Sequence, residues 1–100
     1  MNPTTKKETT NQTRFFELLS EFRPLQQFWA REKLECDPDA VEMYLSVASR
    51  GEATALKCLV SIWSGTSQDG YLAVSVSDLA CLSDAWRDAL VGWIQDPFCP

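Results

Sequence analysis

The side chains best suited to act as nucleophiles or metal ligands are four widely spaced cysteines, Cys36, Cys58, Cys81 and Cys99. They lie 22, 23 and 18 residues apart with no CxxC pair, and the chain contains no histidine. Zinc sites and disulfide-rich small folds place their ligands or half-cystines closer together. The sequence therefore predicts reduced thiols and no cofactor or metal. A reactive Cys58 or Cys81, in a redox switch or a cysteine-based enzyme, stays as an alternative.

Two pairs of carboxylates have a spacing that could serve acid–base chemistry or a cation, Asp37 with Asp39 and Asp84 with Asp88. The first pair surrounds Pro38, which is typical of a helix start, with an N-cap acceptor before a first-turn proline. The second pair is spaced i, i+4, as on the solvated face of a helix. Since G-x-S-x-G and a glycine-rich phosphate loop are also missing, the sequence predicts that the protein is not an enzyme.

The element around which the rest should pack is a helix over residues 52–63. Its apolar residues recur at helical spacing, which is typical of a buried helix; they are Leu56, Leu59, Val60 and Trp63. Ser49 and Glu52 have the spacing of a capping box at its start, and Gly65 suits a left-handed C-terminal cap. This helix is predicted to be the most buried one.

Further helices are predicted from residue 14, over residues 25–34, from Asp37 to about Gly51, over residues 77–81 with a serine cap, and over residues 84–95 with Ser83 as N-cap. Residues 1–13 are polar and lack apolar periodicity, so they are predicted to be a disordered tail. With 100 residues, 45% of them hydrophobic, the chain suffices for one core. We expect a single all-α domain over residues 14–100, an irregular bundle of five or six short helices whose four tryptophans fill much of the core.

The charge of the chain is acidic, with a net charge of −5. Between Cys58 and Trp86 there is no Lys or Arg, whereas Asp69, Asp78 and Asp84 fall in that window. The C-terminal half is therefore predicted to present an acidic face. Nucleic-acid binding needs basic side chains against the phosphates, so direct binding to DNA or RNA is not expected, and a protein with a basic surface is the better partner.

The sequence contains two pairs of adjacent aromatic residues, Phe15 with Phe16 and Phe28 with Trp29. Neighbouring residues on a helix point about 100° apart, so one core direction cannot bury both members equally. Either neighbouring helices cover the second ring inside the monomer, or an aromatic patch around Phe16, Arg23 and Trp29 serves a partner or a homodimer.

The N-terminal residues contain no apolar run typical of a signal peptide, and no stretch has the length needed to cross a bilayer. Together with the spacing of the cysteines, this predicts a cytoplasmic protein that does not enter a membrane.

The second half of the chain contains LKCLVSIWSG and, after a short gap, SVSDLACLSDAWRDALVGWIQDPF. Over residues 56–98 it resembles small proteins encoded on proteobacterial plasmids and integrative elements. In that group an apolar run ending in tryptophan is followed by an Asp-Leu step and a final amphipathic helix. The group has no established activity. The resemblance implies a genetic context in which small accessory proteins, including inhibitors of host defence nucleases, are common.

The leading hypothesis is a non-enzymatic module that binds another protein as an inhibitor, adaptor or regulator. A variant of it has the acidic face mimic nucleic acid, which predicts binding that weakens with salt. A self-associating, homodimeric structural protein is the second hypothesis, and the cysteine-based switch or enzyme is the third. The residues predicted to contact a partner are Phe16, Arg23, Trp29, Asp69, Asp78, Asp84 and Asp88.

Overall fold

Helices make up most of the described chain, which is residues 7–65 and 73–100 of the computed structural model. The α-helices of this part are α1 (Thr10–Leu19), α2 (Pro38–Leu45), α3 (Arg50–Ser64), α4 (Val76–Leu79) and α5 (Asp84–Gln95). Between α1 and α2 lie two 3₁₀ helices and two antiparallel two-residue strands, namely Arg23–Phe28, β1 (Trp29–Ala30), Arg31–Lys33 and β2 (Glu35–Cys36). The predicted all-α single domain is confirmed, with a very small hairpin added to it.

Local capping chemistry sets the helix starts that the sequence predicted. The Asp37 side chain accepts a hydrogen bond from the backbone N–H of Ala40, with Pro38 in the first turn of α2. Ser49 and Glu52 form the reciprocal capping box of α3. Ser83 accepts from the backbone N–H of Trp86 at the start of α5. Each of these caps is satisfied by side chains within four residues, which is why sequence spacing predicts them.

Helix α1 begins at Thr10, so the prediction that the polar tail extends to residue 13 is wrong. Thr9 accepts from the backbone N–H of Gln12, and the Gln12 side chain accepts from the backbone N–H of Thr9. This capping box satisfies two free backbone donors and compensates for the lack of apolar residues in the first turn. The rest of the predicted tail, residues 1–6, lies outside the described chain.

The helix predicted over residues 25–34 is also wrong. After the 3₁₀ helix the backbone becomes extended at Trp29, with φ −120° and ψ 134°. Leu34 takes a left-handed conformation, with φ 54°, and brings Cys36 opposite Trp29 in the hairpin. A left-handed leucine is rare because its Cβ crowds the backbone, so the apolar spacing of this segment gave no sign of the turn.

Helix α2 ends at Leu45, earlier than predicted, and Gly51 lies inside α3 instead of closing α2. A Cβ atom added at Gly51 would lie 2.6 Å from the carbonyl oxygen of Cys81. This glycine therefore allows the start of α3 to approach the end of α4, whereas Gly65, at φ 66°, is the left-handed cap that the sequence predicted.

The core is built mainly from phenylalanine and leucine. The largest fully buried side chains are Phe15, Phe22, Leu25, Leu56, Leu59 and Val41. Helix α3 buries five residues, more than any other helix of the described chain, which confirms its predicted central place. The expected tryptophan core is wrong in part: Trp29 is buried, whereas Trp63, Trp86 and Trp93 pack half-buried around the edge. Their polar ring edge and large size favour that position.

Candidate functional site

The aromatic residues predicted to form a partner patch lie inside the monomer. Phe16 is 7% exposed and Trp29 is 8% exposed. Phe15 contacts the Trp29 ring at a centroid distance of 5.3 Å, and Phe16 contacts Trp63 at 5.6 Å. The guanidinium of Arg31 covers the Phe16 ring at 4.9 Å. Neighbouring elements therefore cover both rings, which agrees with the first alternative, cover inside the monomer, and the alternative of an exposed patch with Phe16 and Trp29 is wrong.

Arg23, the third member of that predicted patch, is exposed at the start of the first 3₁₀ helix. Because Phe16 and Trp29 are both buried, Arg23 does not form an exposed patch with their rings. Trp29 keeps one unusual feature: its indole N–H is buried and has no hydrogen-bond partner within the described chain. Most buried polar groups have a hydrogen-bond partner, so an unsatisfied N–H group here lowers the stability of the core.

Asp78, predicted to contact a partner, instead holds two elements of the fold together. Its carboxylate accepts from the backbone N–H of Ser75 at 2.9 Å, which completes the capping box of α4. Arg50 of α3 places Nη2 2.7 Å from Asp78 Oδ1. These hydrogen bonds, the backbone one of Ser75 first, lower the pKa of Asp78 to about 2. The carboxylate is thus ionised, paired and structural.

Two further carboxylates of the predicted acidic face, Asp84 and Asp88, lie on α5. Asp84 lies in the first turn of α5 and is 3.5 Å from the guanidinium of Arg87. Asp88, one turn further, is exposed. Asp69 lies outside the described residues. The expectation of an acidic C-terminal face overlooked Arg50, which lies outside the cation-free window and pairs with Asp78.

A run of exposed carboxylates lies on the hairpin and at the start of α2. Five acidic residues and one lysine fall within eleven residues there, and all six side chains are exposed. None of the five carboxylates has an ion pair within the part of the chain that the structure describes. Arg31 cannot neutralise them, because Glu8 holds it at 2.8 Å. We call this group the acidic surface; its members are Glu32, Glu35, Asp37, Asp39 and Glu42.

Helix α2 extends the acidic surface with exposed apolar side chains. Met43 is 75% exposed and Val47 is 80% exposed. The backbone N–H of Ala48 donates to the carbonyl of Tyr44 at 2.9 Å, so the helical turn continues past the end of α2 and keeps Val47 in line with Met43. The opposite side of α2 is anchored in the core by Val41 and Tyr44. The outward face therefore combines carboxylates with unpartnered apolar groups.

This surface was missed by the sequence analysis, although a signal for it was present. Counting charge over a window of about ten residues would have located the five carboxylates of residues 32–42. The outward positions of α2 follow the spacing i, i+3, i+4, i+7, i+8, which assigns Met43 and Val47 to the solvent side once Val41 and Tyr44 are placed in the core.

A second apolar surface lies between α3, α4 and α5. It is a groove of about 210 Å³, lined mainly by Cys58, Ile62, Leu79, Leu90, Trp93 and Ile94. Burial, followed by the charge of Asp78, raises the pKa of the Cys58 thiol to about 11. A thiol with so high a pKa is protonated at neutral pH and is a poor nucleophile.

The other thiols are also free. Burial, and next the neighbouring charge of Asp37, raises the pKa of Cys36 to about 11. Cys81 and Cys99 are exposed. Within residues 7–65 and 73–100, no three Cys, Asp or Glu side chains come together in a way that could hold a metal ion. The same residues include no helix with the length and apolar character required to traverse a bilayer.

Comparison of the chain with protein-family models, with curated proteins and with solved structures finds no match. The acidic surface offers exposed carboxylates, and the anchored helix α2 adds the exposed apolar side chains of Met43 and Val47 next to them. Charge complementarity could direct such a surface to a basic protein.

Proposed function

We propose that this protein acts without catalysis, by binding a basic surface of another protein and thereby inhibiting, linking or regulating that partner. The observation that supports this most is the acidic surface, in which five exposed carboxylates have no ion pair within the described chain. Carboxylates that follow one another closely along the chain repel one another, and a basic partner would relieve that repulsion and speed association.

The remaining chemistry of the described chain also favours binding over catalysis. The chain has no histidine, the commonest general base. The two less exposed thiols, Cys36 and Cys58, have raised pKa values, so neither is a ready nucleophile. Four free cysteines suit a reducing compartment, and we place the protein in the cytoplasm.

The biological role that fits these features is that of an accessory or anti-defence protein of a mobile genetic element. The resemblance over residues 56–98 supports this context. An acidic surface can also imitate the phosphates of nucleic acid and block the basic groove of a nuclease. The binding would then weaken steeply with salt.

A second candidate is a homodimer, favoured by exposed apolar side chains on α5. Val91 is 42% exposed and Ile94 is 63% exposed, next to the groove between α3, α4 and α5. Such a face could be covered by the same face of a second copy. Sedimentation equilibrium of the wild type and of I94S over a wide concentration range tests this candidate; a strictly monomeric wild type would exclude it.

The proposed function is tested by affinity capture from a cell extract with three immobilised proteins. They are the wild type, a variant with part of the acidic surface neutralised (E35Q/D39N/E42Q), and a control with three other exposed carboxylates neutralised (E17Q/E21Q/D88N). Asp37 is retained because it caps α2. We expect a basic protein that binds the wild type and the control, is lost with the first variant, and elutes with salt. Equal capture by all three proteins would contradict the proposal.

A further inference from the structure

The outward face of α2 is a continuous row of five side chains. After the exposed Pro38 of the first turn, the exposed positions of this helix and the turn after it are Asp39, Glu42, Met43, Ser46 and Val47. Their spacing is that of one helical face. The row covers eight helical steps, roughly 12 Å or about two turns of an α-helix.

The two apolar members of this row, Met43 and Val47, are left largely uncovered by the described residues of the domain. Met43 and Val47 are among its most exposed large hydrophobic residues. The helix that presents them is held from behind, because Val41 is buried, Tyr44 contacts the Phe28 ring at 5.1 Å, and the Tyr44 hydroxyl donates to Glu52. A fixed helix with a ridge of side chains three and four residues apart is the surface into which a second helix packs.

The charges around the row indicate what kind of helix could pack against it. Asp39 and Glu42 lie beside the apolar pair, and Glu35 precedes α2 in the hairpin. A second copy of this face would oppose carboxylates with carboxylates, in a chain whose net charge is already −5. A partner helix with Lys or Arg beside its apolar residues would complement both the carboxylates and the apolar side chains of the row.

We infer that the Asp39–Val47 face of α2 is a docking site for a basic amphipathic helix of a partner protein. The inference rests on the proposed function and makes it more specific. Carboxylates attract the partner, while Met43 and Val47 select a helix whose apolar side chains follow the same spacing.

The experiment uses two helical peptides of equal length and equal positive charge. One places leucines at i, i+3, i+4 and i+7 between lysines, and the other has glutamines in place of the leucines. Affinities for the full chain are measured by isothermal titration calorimetry at 50 and 200 mM salt. We expect the leucine peptide to bind about tenfold more tightly, since two partly exposed side chains become buried.

The apolar contribution is tested with M43Q/V47T, and V76T/I94S serves as a matched control. Val76 and Ile94 are also exposed apolar residues, but they lie on α4 and α5. In M43Q/V47T the two peptides should bind with about equal affinity, whereas the control should keep the preference for the leucine peptide. Equal affinities for both peptides in the wild type, no binding of either peptide, or a preference that survives in M43Q/V47T would overturn the inference.

The result also separates the inference from the function on which it rests. Equal but salt-sensitive binding of the two peptides would leave the proposed function standing and remove only the apolar docking. Binding insensitive to salt would contradict the proposed function. A concentration-dependent dimer that M43Q/V47T disrupts would assign this face to a second copy and overturn the inference.

Discussion

Arg50 and Asp78 join the first turn of α3 to α4, with Nε 2.8 Å and Nη2 2.7 Å from the same carboxylate oxygen. The second oxygen of Asp78 accepts from the backbone of Ser75. One carboxylate therefore both caps a short helix and fixes it against the central one. A helix of only four residues, Val76–Leu79, is too short to be stable by its own backbone hydrogen bonds and depends on such external support.

We expect D78N to be less stable than the wild type at neutral pH. The pKa of Asp78 in the folded protein is about 2, below the value of about 3.9 expected in an unfolded chain. The ionised carboxylate thus contributes stability above about pH 4, and this contribution is lost as the pH falls towards 2. Urea unfolding at pH 7, 4 and 2.5 should show a shallower pH dependence for D78N.

The control for this change is D88N, which removes an exposed carboxylate without an ion pair in the described chain. It should follow the wild type at every pH. Some pH dependence will persist in D78N, because the Arg31 hydrogen bond, and next that of Thr13, lower the pKa of Glu8 to about 2. Parallel pH profiles for D78N and the wild type would show that the Arg50–Asp78 pair does not stabilise the fold.

Gly51 and Gly92 form a matched pair for testing the contact between α3 and α4. Both glycines lie within helices, but a Cβ at Gly51 would be 2.6 Å from the Cys81 carbonyl oxygen, and a Cβ at Gly92 meets no atom within 4 Å. G51A should lower the free energy of unfolding by about 1–3 kcal/mol, because backbone has to move. G92A should raise it by ~0.5–1 kcal/mol through helix propensity. Urea unfolding measures both, and a stabilising G51A would contradict this packing.

Local signals in the sequence predict much of this fold, and long-range contacts account for what they miss. The caps at Asp37, Ser49 and Ser83 are decided by residues within one turn, so spacing reveals them. The Thr9 and Gln12 capping box was equally readable, and its omission displaced the start of α1. In contrast, the left-handed Leu34 has no local signature.

For the candidate site, too, the sequence reveals local features and misses long-range contacts. A sequence window gives the number of carboxylates but does not reveal which of them find a cation. Asp78 meets Arg50 across 28 residues of chain, and Glu8 meets Arg31 across 23. Only the fold shows that these charges are paired, whereas Asp39 and Glu42 have no ion pair with any residue that the structure describes. Net charge therefore predicts an acidic protein, whereas the position of its free acidic surface depends on tertiary structure.

The unpartnered N–H of Trp29 leads to a prediction about the core. A buried donor without an acceptor costs about 1–3 kcal/mol, and W29F removes that donor along with part of the ring. The two effects oppose each other, so W29F should lower the free energy of unfolding by less than ~1 kcal/mol, whereas W29A should lower it by about 3–5 kcal/mol. Thermal and urea unfolding provide the comparison. A W29F variant as unstable as W29A would mean that the indole N–H has a partner.

The thiols should divide into two classes under a disulfide reagent at pH 8. Cys81 and Cys99 are exposed and should react first. Cys36 and Cys58, with pKa values of about 11, should react only slowly until denaturant is added. In C81S/C99S, the rapid phase should disappear. Rapid modification of Cys58 in the folded protein would instead support the redox alternative.

The central claim is that the acidic surface and the outward face of α2 bind a basic partner, and a nuclear magnetic resonance titration tests it most directly. Amide chemical shifts of the ¹⁵N-labelled full chain would be followed as the lysine–leucine peptide is added at low salt. We predict that the shift changes concentrate in residues 32–48 and disappear in E35Q/D39N/E42Q. Changes centred on α5, or spread evenly over the helices, would contradict the claim.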